Sequence, residues 1–351
     1  MKSCCYAAFV VDKNVSHSEV ILKTISIRCG NITPNSAEVD HDDVIFGWRE
    51  VESILTNYAI KIDSYRTVYI SLNASEVCDR LYWLKPENCE EFFRNLPFDM
   101  DNWETEHPFG ANVHFSIEKN FDDEKWNEVK FVERVMEQLF LVLNVAVRGG
   151  CNFGSIQIGD SWKSLHCSNI ESGWHYSSIN SWPLIQPIPV AKSWYWFEKH
   201  SSLFFNLANT SITKASAVLL HLSYKGDIES TDVLQLSQVM ENFYLNKGEP
   251  KARGLNRKIA VVLGHLPHAN KGLIQDFYKL RSVIAHGDFP LFRPRYDETD
   301  LGFKEAEQHY WDISNEIDKG VAILIGTLQF LIENDASSMS FYESISVETN
   351  G

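Results

Sequence analysis

Two hydrophobic periodicities divide this chain, and a proline-dense stretch stands between them. Upstream, short segments alternate apolar and polar residues with the period of two that a half-buried strand requires. Residues 19–28 read this way and are rich in β-branched side chains; 67–72, 111–117 and 153–158 read as further strands, and 4–11 as a first one. One long helix interrupts them at 122–147, with Phe131, Val135, Leu139 and Val142 on one stripe and Gly149 and Gly150 ending it. After Pro183, Pro187 and Pro189 the period becomes 3.6. Helices are predicted over 193–207, 213–222, 232–245 (capped by Ser230 or Thr231), 255–266 and 303–333. The fold class expected is therefore α+β. A mixed β/α N-terminal domain over 1–182 leads through a proline-rich joint at 183–190 into an all-α bundle over 191–337, followed by a flexible tail, 338–351.

A chain of 351 residues with 44% hydrophobic and 23% charged residues has enough apolar surface for two cores. Its seven cysteines are odd in number and scattered, with no Cys-x-x-Cys pair, which points to a reduced, cytoplasmic protein. His265 and His268 lack thiol neighbours to complete a zinc set, and no Walker or Rossmann glycine pattern occurs, so neither metal nor cofactor is expected. The longest apolar run, 321–332, is broken by Gly326, Thr327 and Gln329 and is too short to cross a membrane.

The net charge of −15 argues against a polyanionic partner until its distribution is considered. Residues 190–300 hold 14 Lys and Arg against 11 Asp and Glu, so this stretch is basic and the remainder strongly acidic. Within it Lys247, Lys251, Arg253, Arg257 and Lys258 cluster with only Glu249 opposing them, and Arg293 and Arg295 lie further on. A local patch of this kind binds phosphates while the far surface stays acidic.

Inside the basic zone, Leu273, Phe277, Leu280 and Ile284 make one apolar stripe. The helix they define runs from about 271 to 286; Gly287 suits the left-handed residue after a helix, and Pro290 forbids resumption. Tyr278, Arg281, Ser282, Ala285 and His286 fall away from the stripe. An arginine forks onto phosphate oxygens and a histidine moves protons near neutral pH. Together they suffice for metal-free phosphodiester chemistry if both reach one phosphate. Five residues apart, however, they point about 140° from each other on one helix. Two such helices facing each other would aim them better, so the spacing favours a dimeric site. On spacing alone a plainer reading also stands, in which Arg281 pairs with Asp276 or Asp288 and His286 is an ordinary surface residue.

The segment Tyr278-Lys279-Leu280-Arg281-Ser282-Val283-Ile284-Ala285-His286-Gly287 resembles the signature of HEPN domains, and more narrowly their ApeA-like branch. The family pattern is an arginine, four to six residues, then a histidine; the gap here is the four residues 282–285. Ser282 after the arginine fits the ApeA-like subset and departs from the Asn, Asp or His common elsewhere. The resemblance covers residues 190–337, with only these ten sharply matched. It implies a helical bundle that dimerises and a metal-independent endoribonuclease leaving 2′,3′-cyclic phosphate ends, used in antiviral defence or as a toxin. Arg281 and His286 would be catalytic; Tyr278, Lys279, Ser282, Arg257, Lys258, Arg293 and Arg295 would contact RNA, with Glu241 as an accessory group. A trigger or antitoxin would act on the N-terminal domain. The alternative is a non-catalytic module of the same shape that binds a nucleotide or partner.

Overall fold

A computed structural model describes residues 23–29, 39–94, 111–123, 125–158, 161–167, 170–201, 207–225, 227–246, 248–249, 251–265, 272–291, 299 and 301–342. The class is α+β, as the two periodicities require. Six strands, β1 (Lys23–Cys29), β2 (Tyr58–Lys61), β3 (Thr67–Asn73), β4 (Ala111–Lys119), β5 (Phe153–Ile158) and β6 (Ser161–Cys167), form one antiparallel sheet in the order β2-β3-β4-β1-β5-β6. Alternation decides its faces. Val68, Ile70 and Leu72 of β3 and Val113, Phe115 and Ile117 of β4 are buried, while their neighbours Asn112, His114, Ser116 and Glu118 are half-buried on the other side. Residues 4–11 and the start of the expected strand at 19–28 lie outside the described residues.

Helices α1 (His41–Ile54), α2 (Ser75–Trp83) and α3 (Pro86–Arg94) belong to this half, and α1 and α2 pack on the sheet. The Asp40 carboxylate caps α1 by accepting from the Asp42 and Asp43 amides. Next comes α4 (Glu128–Ala146), whose Phe140 ring lies 6.4 Å from that of Phe153 in β5. The remaining helices are α5 (Glu171–Asn180), α6 (Val190–His200), α7 (Ser211–Tyr224), α8 (Ser230–Tyr244), α9 (Lys251–Leu263), α10 (Leu273–His286) and α11 (Phe303–Glu333). From Ile313 to Ile332 α11 is buried on almost every side, the mark of a helix at the centre of its bundle. Gly173 allows α5 to lie directly on it, since a methyl at that position would sit 2.7 Å from Val321 Cγ1 and 2.9 Å from the Ala322 amide nitrogen.

Three sequence expectations need correction. Residues 183–190 do not separate two cores: Ile185 and Ile188 are buried, the Ile188 amide donates to the Ala146 carbonyl at 2.9 Å, and one apolar cluster runs from the sheet into α11. Gln329 of α11 fastens both sides, donating to the Val145 and Gln186 carbonyls at 2.8 and 2.9 Å. The tail expected at 338–351 begins as packed chain, because the Phe341 ring lies 6.0 Å from that of Tyr244; residues 343–351 lie outside the described residues. Helix α8 is capped by Glu229, in a reciprocal box with Asp232, rather than by Ser230 or Thr231.

Candidate functional site

The signature helix is α10, and its end is built as the glycine suggests. Gly287 adopts φ 79°, its amide bonds back to Ile284, and the Asp288 amide reaches the Val283 carbonyl at 3.0 Å. This closure satisfies the last carbonyls and leaves His286 exposed on the final turn. At the other end Lys319 of α11 donates to the Leu273 carbonyl at 3.1 Å while gripping both Glu316 oxygens at 2.6 Å. Phe277, Ile274 and Tyr278 bury the first half of α10. Its second half is thinly covered: Leu280, Val283 and Ile284 are only half-buried, and Ala285 and His286 are exposed.

Arg281 points toward α8. Its Nη2 lies 3.9 Å from Glu241 Oε1, and the side chain is 25% exposed. Its Nε is buried with no hydrogen-bond partner. The same Glu241 oxygen accepts a hydrogen bond from the Tyr278 hydroxyl at 2.8 Å. Burial, and then that carboxylate, push the Tyr278 phenol well above its ordinary value, so it stays a donor throughout the physiological range. Neither Asp276 nor Asp288 takes the partner role that the sequence offered them; the acid comes from another helix.

The last turn of α8 is a meeting point. Glu241 faces Tyr278 and Arg281 of α10, and one turn later Leu245 lies against Gly254 of α9, where an added methyl would come 3.0 Å from Leu245 Cδ2. Arg281 and the first turns of α9 therefore gather around the same short piece of helix. Arg253 and Arg257 are exposed there, with Arg257 Nη2 3.9 Å from Glu249 Oε1. Lys279 is exposed and Ser282 half-buried on α10.

Two of the expected RNA contacts are internal. Lys258 is 4% exposed, bonded to Glu249 at 2.6 Å, with its ammonium 5.0 Å from the Phe341 ring centroid. Its place on the Leu255, Ile259 and Val262 stripe, at helical spacing, was the overlooked sign. Tyr278 is likewise buried, and its hydroxyl is committed to Glu241. Both are withdrawn as contacts. Arg293 and Arg295, with Lys247 and His268 of the wider set, lie outside the described residues.

Among the described residues no group of three or more His, Cys, Asp or Glu could hold a metal ion, and no helix is long and apolar enough to cross a membrane. No protein-family model matches the chain, and no curated protein or solved structure matches it significantly.

Proposed function

We propose that the chain is a metal-independent endoribonuclease of HEPN type, acting as a homodimer in antiviral defence or as a toxin. One observation carries the reading: Arg281 is 25% exposed, and among the described residues its carboxylate partner, Glu241, stands 3.9 Å from Nη2, beyond hydrogen-bonding distance, so the guanidinium head retains donors that a phosphate would satisfy. His286 is exposed on the last turn of the same helix. On one copy the two side chains diverge. The thin cover over Leu280, Val283, Ile284 and Ala285 leaves room for the same helix of a second copy.

In such a pair one neutral His286 takes the proton of the ribose 2′-hydroxyl, and the 2′-oxygen attacks phosphorus. The P–O5′ bond breaks, and the protonated His286 of the second copy gives its proton to the departing 5′-oxygen. Arg281 stabilises the added negative charge on the phosphoryl oxygens. Arg253, Arg257 and Lys279 track the backbone on either side. A trigger would act on the N-terminal domain; a cleft of about 370 Å³ lined by Asp43, Arg148, Trp174 and Ser177, together with Ile185 of the proline-rich stretch, is of a size to take a small ligand.

Product chemistry tests the reaction. RNA fragments made by the purified chain are analysed by mass spectrometry, and the expected ends are 2′,3′-cyclic phosphates. Fragments ending in a free 3′-hydroxyl would refute the mechanism.

A further inference from the structure

Asp43, in the first turn of α1, lines the cleft of about 370 Å³ described above and is half-buried there. Among the described residues its carboxylate has no ion-pair partner and accepts no hydrogen bond. The groups around it are committed elsewhere. Asp40 Oδ1 caps α1, accepting from the Asp42 and Asp43 amides at 2.9 and 3.4 Å, and Lys85 pairs with Asp42. Arg148 lines the same cleft, but its guanidinium meets Glu171 at 3.5 Å and His175 at 3.4 Å. Burial first, and then the charges of Asp40 and Asp42, push the Asp43 carboxyl above its ordinary value. A half-buried carboxylate in that setting gains from an incoming cation. Much of the remaining lining is apolar and firmly held. Leu184, Ile185 and Pro187 contribute to it, as does the Trp174 ring, whose indole nitrogen is committed to the Asn144 carbonyl at 2.8 Å. Ser177 donates to the Pro183 carbonyl and Gln329 to the Gln186 carbonyl at 2.9 Å, so this stretch of chain is fixed before a ligand arrives. Leu184 is 72% exposed, which leaves apolar surface for a ligand to cover.

We propose that this cleft binds a small organic ammonium ion, with the ammonium on Asp43 and an aliphatic body against Leu184, Ile185 and Pro187. The ligand carries one positive charge, because a second would meet the Arg148 guanidinium in the same cleft. The proposal concerns the cleft alone and stands apart from the nuclease reading.

The test is calorimetric titration of the full chain, near neutral pH and without RNA, with isoamylamine, cadaverine as its diamine counterpart and isovalerate as its carboxylate counterpart. Isoamylamine is expected to bind saturably, cadaverine at least about 3-fold more weakly, and isovalerate not at all. Asp43→Asn should weaken isoamylamine by about 10-fold or more, the range of one hydrogen bond to a charged group. Leu184→Ser, at an exposed position outside the core, should weaken it by about 3-fold; thermal melts check that both variants fold. If Asp43 only complements the positive end of α1, Asp43→Asn lowers the melting temperature and leaves amine affinity unchanged, and the proposal is overturned. It is overturned equally if the parent chain binds no isoamylamine, or binds isovalerate as tightly. Cadaverine binding as tightly as isoamylamine overturns the single charge. RNA cleavage is read separately, so each of these results leaves the nuclease reading where it stood.

Discussion

Lys319 anchors the helix that carries the candidate site, and its removal has a calculable cost. Its ammonium is 1% exposed and holds three acceptors, both oxygens of Glu316 and the Leu273 carbonyl at the first turn of α10. Lys319→Met fills the space but leaves a carboxylate, 8% exposed as a residue, without its cation. Breaking a buried pair from one side costs about 3–5 kcal/mol, about 4–7 °C in melting temperature for a chain of this size. The pH dependence has a definite sign. Burial pushes the Glu316 carboxyl above its ordinary 4.5 while Lys319 pulls it down. With the lysine gone, the upward shift grows. Between the ordinary value and the raised one the native state holds more protons than the unfolded state, so stability is lost as pH rises through that window. Lys319→Met should therefore recover stability relative to the parent between pH 8 and pH 5, in urea titrations followed by circular dichroism. Adding Glu316→Gln should restore most of the loss and flatten the difference. A Lys319→Met chain as stable as the parent at pH 8, with the same pH profile, would refute the reasoning.

Other expectations follow from burial and exposure. Arg257→Gln should weaken RNA binding and reduce the salt slope by about 0.7, whereas Lys258→Gln should lower the melting temperature and leave RNA affinity unchanged, because only Arg257 faces solvent. Gly173→Ala should destabilise by about 1–3 kcal/mol in thermal melts, since the new methyl meets Val321 and the α11 backbone at Ala322.

Much of the fold was legible because local signals agreed with it. The bounds read for 303–333 match α11, and Gly287 marked the end of α10 correctly. Helix α1 left its signals unread: Asp40 precedes a stripe of Val44, Trp48, Val51 and Leu55. Helix α5 offered none. Its Ser-rich ESGWHYSSIN has no apolar face of its own, and it is held through contact with α11 at Gly173. The joint at 183–190 was misread because prolines mark irregular chain, and irregular chain can be as firmly packed as a helix. At the site, the sequence placed Arg281 and His286 on one helix end. That Glu241 and Tyr278 would share a bond beside Arg281 depends on how α8 crosses α10, and no local pattern encodes that.

The central claim is that Arg281 and His286 cut RNA without a metal. The most direct measurement incubates the purified chain with mixed RNA in excess EDTA, beside Arg281→Ala and His286→Ala. Cleavage by the parent chain, reduced about 10²- to 10⁴-fold or more in each variant, is the predicted result. Cleavage that both variants retain would contradict it.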